Sequence, residues 1–320
     1  MQKAGDILKS SETLKKLTGQ ETDVVVSKQQ LGRIESISMA RMGDGSARQE
    51  LVYSSRPFVL CGLPVRRPKK NVLKHERRTA GKFILQITGH PDYGLPFGQD
   101  RLIPIWVATL ALRQQDRFVS FKSAAEILDT FGLHKDGNTY RRLVDGFQRI
   151  FGATIFFGTN EERGPASIYD GARFHFFDKM QVWYTKHLDQ QQLLSENFQN
   201  QILLSENFWN ELKRHPIPIN LEAIKILANA PAELDFYTWL VWRCWTAQKE
   251  TRIPLLGEAG LIRQLGISEK TAAFEFRRQI KRWLAHIKAE DIWPECPAVL
   301  DGDSLVLQHS KAIAARIIHP

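Results

Sequence analysis

Residues 118–157 read FVSFKSAAEILDTFGLHKDGNTYRRLVDGFQRIFGATIFF, in which β-prone and helical segments follow one another. A short β-prone run at 118–121 precedes Ser123, whose hydroxyl can cap a helix over 124–131, with Glu126 at the third helical position. A second helix begins near Asp136, carries apolar residues at spacings of mostly three and four, and stops at Gly152. This order predicts a winged helix, a variant of the helix-turn-helix.

The flanking segments supply the other elements of this unit. A helix is predicted from residue 103 to Gln115, after Asp100 as a candidate N-cap. Short β-prone runs predict strands at 57–60, 83–87, 153–157 and 172–177. The last two strands are joined by a polar loop over 158–171.

The second half of the chain repeats the same order. Helices are predicted at 221–229, 232–247 and 258–265, with a short strand at 253–255. Ser268 is the predicted N-cap of a long helix at 269–289, and strands at 298–300 and 305–307 flank a turn. The sequence therefore predicts an α+β protein with two tandem winged-helix domains, mostly helical with small sheets and wings.

The predicted domain boundaries follow from composition and from a short repeat. Residues 1–50 contain no Phe, Trp or Tyr, which predicts a flexible N-terminal arm. The segment QQLLSENFQN at 191–200 recurs as QILLSENFWN at 201–210. We assign 51–185 to the N-terminal winged-helix domain, 186–204 to a linker that contains the first copy, and 205–312 to the C-terminal winged-helix domain.

Composition limits the class of protein. The 320 residues are 43% hydrophobic and 25% charged, and no apolar stretch is long enough for a bilayer, so we expect a cytoplasmic protein with no membrane partner. Three cysteines without a C-x-x-C pair indicate neither a disulfide framework nor a zinc site. Lys and Arg number 44 against 35 Asp and Glu, which makes a polyanion a plausible partner.

The cations are concentrated in three places. The segment 66–82 holds eight Lys or Arg and one Glu, and its candidate DNA-binding residues are Arg66, Arg67, Lys69 and Lys70. The two recognition-helix candidates present Lys135, Asn138, Arg141, Arg142 and Arg149, and Lys270, Thr271, Arg277, Arg278, Lys281 and Arg282. Such side chains read guanine or adenine in the major groove and neutralise phosphates. The alternatives are solvated helix faces and a basic loop that contacts nothing.

Signatures of catalysis are missing from the sequence. It contains no G-x-x-x-x-G-K-[ST] phosphate loop, no H-E-x-x-H pair and no G-x-S-x-G elbow. His175 stands between two phenylalanines, which is typical of a strand rather than of the paired histidines of a nicking enzyme. We therefore expect a binding protein with no catalytic residues, no metal and no cofactor, and a nicking enzyme remains the rival hypothesis.

Four longer strings resemble the plasmid-encoded RepA-type replication initiators of Gram-negative bacteria. They are LPFGQDRLIPIWVATLA at 95–111, YRRLVDGFQRIFGATIFFGT at 140–159, HPIPINLEAIK at 215–225 and WPECPA at 293–298. The resemblance implies a theta-type initiator with two winged-helix domains that binds repeated sites, or iterons, in double-stranded plasmid origin DNA. It further implies opening of the adjacent A·T-rich duplex and recruitment of the host replication initiator and helicase.

The resemblance also implies self-association. In related initiators a dimer represses its own gene while the monomer starts replication, and the N-terminal domain forms the dimer surface. The strands at 57–60, 83–87 and 153–157 are the candidates for that surface. The alternative is a winged-helix transcriptional regulator without replication activity.

Overall fold

The structure is a computed structural model. It describes residues 51–69, 71–79, 83–163, 166–183, 200–257, 259–268, 270–288 and 292–310. The predicted N-terminal arm and most of the first repeat copy lie outside the described residues.

Short strands and helices alternate along the described chain. The helices are α1 (Arg56–Cys61), α2 (Leu102–Gln114), α3 (Glu126–Thr130), α4 (Gly137–Phe151), α5 (Glu206–Arg214), α6 (Leu221–Leu227), α7 (Pro231–Thr246), α8 (Leu261–Gln264) and α9 (Ala273–Ile287), and a 3-10 turn (Gly98–Arg101) precedes α2. The strands are β1 (Leu51–Ser54), β2 (Lys74–Thr79), β3 (Phe83–Thr88), β4 (Phe118–Phe121), β5 (Thr154–Arg163), β6 (Ala166–His175), β7 (Phe177–Gln181), β8 (Asn200–Leu204), β9 (Ile217–Asn220), β10 (Thr251–Pro254), β11 (Val299–Asp301) and β12 (Ser304–Leu307). The α+β class with two tandem winged-helix units is confirmed.

The helix starts of the first unit follow the sequence signals. The carboxylate of Asp136 accepts a hydrogen bond from the Thr139 backbone N–H at 2.8 Å, so it caps α4 as predicted. This backbone hydrogen bond lowers the pKa of Asp136. Before α3, the Ser123 hydroxyl accepts from the Ala125 N–H at 3.1 Å, and Glu126 accepts from the Ser123 N–H at 3.0 Å. The local chemistry therefore positions both helices of the helix-turn-helix.

The four-stranded sheet has the order β2-β3-β5-β6. The prediction of a loop over 158–171 is wrong, because β5 and β6 continue as a paired hairpin from Thr154↔His175 to Arg163↔Ala166. Backbone pairing in a hairpin does not require apolar side chains, so the polar sequence concealed it. The prediction of a strand at 57–60 is also wrong, because a proline in the first turn starts helix α1 there.

A second sheet corrects the predicted linker. Strand β8 lies between β4 and β7, although it falls within the range 186–204. Helix α5 follows directly, and the ring of Phe208 meets those of Phe174 and Phe176 edge-on at 5.6 and 5.5 Å. The second repeat copy therefore completes the first unit rather than opening the second domain, because its strand and helix find their partners there.

The second unit reproduces its predicted order, and three of its four helices are shorter than predicted. Strands β10, β12 and β11 form a sheet, with Gly302 at φ 58° in the turn that makes the wing. Helix α9 begins at Ala273, and its N-cap is Ala272 without a side-chain cap, so the prediction of Ser268 as the cap is wrong. The Ser268 hydroxyl instead accepts from the Lys270 N–H in the preceding turn, at 3.3 Å.

The two units share backbone and side-chain contacts. Strand β1 pairs antiparallel with β9, which leads into α6 of the second unit. Trp106, Trp239, Trp242 and Trp283 are buried in the core, and Trp245 is half-buried. Burial raises the pKa of the free thiols of Cys244 and Cys296.

Within the described ranges, none of the helices is both long and apolar enough to cross a membrane.

Candidate nucleic-acid interface

Helix α9 separates an apolar face from a cationic one. Its buried stripe consists of Phe276, Ile280, Trp283, Leu284 and Ile287. The predicted DNA-binding residues Arg277, Arg278, Lys281 and Arg282 are exposed, and Lys270 is exposed just before the helix, where Thr271 is half-buried. The structure therefore brings all six candidates of the second unit to one end or one face of α9.

The wing lies beside this face and is acidic at its turn. The guanidinium of Arg277 donates to Asp303 at 3.0 Å, with side chains 49% and 89% exposed, and Arg252 on β10 pairs with Asp301. Exposed pairs of this kind contribute about 0–1 kcal/mol, so DNA phosphates can compete for either arginine. Two carboxylates at the turn repel phosphates, which leaves the helix as the main contact surface of the second unit.

Helix α4 presents a smaller basic surface. Asn138, Arg141 and Arg142 are exposed, and Arg142 also donates to the Gln99 side-chain oxygen at 3.4 Å. Lys135 is exposed and forms an ion pair with Asp129 on α3. These four predicted residues share the surface at the start of α4.

The prediction for Arg149 is wrong. Its guanidinium forms two hydrogen bonds to the carboxylate of Asp100, at 2.7 and 2.9 Å, and lies 4.7 Å from the centre of the Phe97 ring. Only 11% of the Arg149 side chain and 8% of the Asp100 side chain are exposed. The arginine holds the 3-10 turn onto α4 and is not available to DNA.

Gly146 makes this close approach possible. A Cβ at Gly146 would lie 2.7 Å from the Asp100 carboxylate oxygen and 2.9 Å from the Ile103 side chain. Both distances are shorter than van der Waals contact, and the carboxylate cannot turn away without breaking its pair with Arg149. The absence of a side chain at Gly146 thus shapes the surface of α4.

Gly146→Ala is expected to destabilise the protein. Overpacking costs about 1–3 kcal/mol, whereas alanine gains about 1 kcal/mol over glycine inside a helix. The lost Asp100–Arg149 geometry adds to the cost, so the free energy of unfolding measured in urea should fall. Gly137→Ala at the exposed start of the same helix is the control, and it should leave stability unchanged or raised. A stabilised Gly146→Ala protein would contradict the packing argument.

The basic segment at 66–70 adjoins α4. Arg66, Arg67 and Lys69 are exposed in the connection from α1 to β2, and Lys70 lies outside the described residues. Arg67 lines a cleft of about 320 Å³ together with Gln99 and Arg142. The segment is therefore placed to extend the basic surface of the first unit.

Replacing Arg66, Arg67, Lys69 and Lys70 together by Ala should weaken binding to all DNA sequences alike. Each lost phosphate contact should lower the slope of log K against log salt by about one. The measurement is fluorescence anisotropy with a duplex at several salt concentrations. An unaltered slope would show that this segment contacts no phosphates.

Several residues that shape the surface were missed from the sequence. The sequence predicts Asp100 only as a helix cap, and it predicts no separate role for Gly146 or for Phe274, which lies within the predicted helix at 269–289. A signal existed for Phe274, because it stands two residues before Phe276 and therefore off the apolar stripe. The pairing of Asp100 with Arg149 spans 49 positions and left no local signal.

Two histidines in the described residues pair with carboxylates. His175 lies 2.8 Å from Asp178, and His286 lies 2.7 Å from Glu233. His175 ends strand β6, as its flanking phenylalanines indicated. In the described part of the chain no group of three His, Cys, Asp or Glu residues is arranged to hold a metal ion.

Comparisons with known proteins concern the fold and part of the sequence. A family model described as "Plasmid encoded RepA protein" matches residues 130–253, from α3 to β10. A crystal structure of RctB domains 2-3 superposes with a TM-score of 0.52 at 12% identity, over 81% of this chain and 99% of that chain. A crystal structure of selenomethionine derivatives of the same domains superposes with a TM-score of 0.52 at 12% identity, over 78% of this chain and 94% of that chain. No curated protein sequence gives a significant match.

The matched segment supports the class of plasmid-type replication initiators. The resemblance to plasmid-encoded RepA proteins is confirmed over residues 130–253. The RctB likeness concerns the fold alone. Helix α9 lies beyond the matched residues, so its role is argued from its own geometry.

Proposed function

We propose that this chain is a plasmid replication initiator that binds repeated sites in its origin, with α9 as the principal reading helix. One observation carries the proposal: α9 exposes a row of cations opposite a fully packed stripe, beside a three-stranded wing sheet. A helix of this width and charge fits the major groove, where its N-terminal residues reach the base edges.

The first unit supplies additional backbone contacts in this proposal. Asn138, Arg141 and Arg142 on α4, with Lys135 before it and Arg67 beside it, form a second basic surface. The Asp100–Arg149 pair occupies the C-terminal part of the same helix, so the contacts of α4 with the DNA backbone are limited to its first two turns. In this proposal, α9 recognises bases, and α4 contacts the DNA backbone and positions the protein on the duplex.

Origin opening, recruitment of host replication proteins and repression of the gene by a dimer form the rest of the proposal. The sheet order places β3 and β5 in the interior and leaves β2 and β6 at the edges. Since only edge strands have unpaired backbone groups, a dimer formed by strand addition would use β2 or β6. The predicted dimer strands at 83–87 and 153–157 could contribute only their faces.

Binding to origin DNA tests the proposal. Footprinting of the purified protein on a duplex with the matching origin should show protection of tandem repeats at regular spacing. A duplex with the repeats scrambled and the same base composition is the control, and it should bind only at low salt. Equal binding to both duplexes would contradict sequence-specific recognition.

The non-enzymatic character of the chain is tested separately. Supercoiled origin DNA incubated with the protein and Mg²⁺ should remain supercoiled, because the proposal assigns no nucleophile and no metal ligand. Site-specific nicking would replace the initiator proposal by that of a nicking enzyme.

A further inference from the structure

Helix α9 carries an aromatic side chain on its solvent side. Phe274, the second residue of α9, is 68% exposed, and the next most exposed large hydrophobic side chain among the described residues is Val299 at 53%. Phe276, two residues later, is fully buried at 0%. Because successive helical residues turn by about 100°, the two rings project to opposite sides of the helix.

Most of the charged side chains around Phe274 are cationic, and Glu275, the next residue in the first turn of α9, is acidic. Arg278 and Lys281 follow it by four and seven residues, so the three side chains lie in one row along the helix. Exposed Lys270 precedes the helix. A docking surface for another protein would place apolar neighbours around the ring, whereas this ring stands at the N-terminal end of a row of cations. The charge points to a polyanion as the partner of this surface.

An exposed ring has a specific apolar target in the major groove. Thymine presents its 5-methyl group there, and phenylalanine is among the side chains that contact it. We propose that Phe274 is a specificity-determining residue that packs against the 5-methyl group of a thymine in the origin repeats. The proposal rests on the proposed function, and it adds the base that the first turn of α9 recognises.

The first test needs no protein variant. Wild-type protein selects preferred duplexes from a randomised library, and each thymine of the selected site is then replaced singly by uracil, which lacks the methyl group. At the contacted position, affinity should fall about fourfold, the effect of losing one buried methyl-sized group. At the other thymine positions, the ratio of the affinities for the thymine and uracil duplexes should be near one.

The second test asks whether Phe274 is the residue that contacts the thymine methyl group. Phe274→Ala should bind the thymine and uracil duplexes equally at the contacted position, because the apolar partner of the methyl group is gone. Phe118→Ala, a 40% exposed phenylalanine on β4 of the first unit, is the matched control and should keep the wild-type ratio. Circular dichroism verifies that both variants fold.

The outcomes separate this proposal from the proposed function. If the wild-type protein selects no preferred duplex, the proposed function fails. If it selects a site but no thymine position is sensitive to uracil, the Phe274 proposal is overturned and sequence-specific binding stands. An equal thymine preference in wild type and Phe274→Ala likewise overturns it, since the methyl group is then read by another residue.

Discussion

Arg101→Ala is expected to lower the free energy of unfolding by about 3–5 kcal/mol, the cost of breaking a buried ion pair. Arg101 is 1% exposed, and its guanidinium lies 2.9 Å from the carboxylate of Asp235 on α7. It also donates to the backbone oxygens of Leu63 at 2.8 Å and Gly98 at 3.0 Å. Burial lowers the pKa of Arg101, and the carboxylates of Asp235 and Asp100 oppose that shift. The truncation leaves these acceptors without their donor.

The matched control is Arg252→Ala. The Arg252–Asp301 pair is 54% and 60% exposed, so its loss should cost less than about 1 kcal/mol. Urea unfolding measures both variants. Arg101→Met combined with Asp235→Leu should recover part of the loss, because the uncompensated carboxylate is removed. Equal stability losses for Arg101→Ala and Arg252→Ala would contradict the structural role of Arg101.

The adjacent residues Asp100 and Arg101 give this prediction a functional consequence. Asp100 binds Arg149 on α4, and Arg101 binds Asp235 on α7. A single 3-10 turn thus connects α4 of the first unit to α7 of the second unit. Loss of Arg101 should therefore loosen the relative placement of α4 and α9 as well as lower stability.

The double variant Arg278→Ala and Arg282→Ala is expected to show the largest loss of DNA binding. Each arginine that reads a base contributes about 1–3 kcal/mol of discrimination, so two such contacts together amount to roughly 2–6 kcal/mol if they are independent. Both side chains are exposed on α9. Competition of a specific duplex against a scrambled one measures the discrimination directly.

Arg214→Ala is the charge control for this variant. Arg214 is exposed at the end of α5, which packs on the first unit, so its loss removes a cation without touching α9. It should leave discrimination between the two duplexes unchanged. If the double variant discriminates as well as wild type, base reading must be assigned to another element.

Local signals in the sequence were sufficient for much of the fold. The stop at Gly152, the cap at Asp136 and the strand at 118–121 were predicted correctly, because caps and periodicity act within a few residues. The two candidate recognition helices, α4 and α9, were located correctly because apolar residues three and four positions apart identify the packed face of a helix, and the cationic side chains lie on the opposite face.

Non-local contacts explain the errors. The sequence predicts a linker where β8 lies because its two partner strands leave no local signal. Strand β4 is remote in sequence, and the first repeat copy separates β7 from β8. Arg149 was assigned to DNA because its helical position matches that of Arg142, and only the tertiary approach of Asp100 removes it from the surface. A sequence pattern identifies the face of the helix on which a residue lies. The side chain that the residue contacts, however, depends on how distant segments pack.

Plasmid maintenance in trans tests whether this protein initiates replication. The gene is supplied from one replicon, and a second plasmid carries only the matching origin and a selectable marker. We expect stable maintenance of the second plasmid with the wild-type gene, and loss of the plasmid with the Arg278→Ala and Arg282→Ala double variant. Failure of the wild-type gene to maintain the plasmid, with specific binding to the origin intact, would contradict the account and indicate a transcriptional regulator.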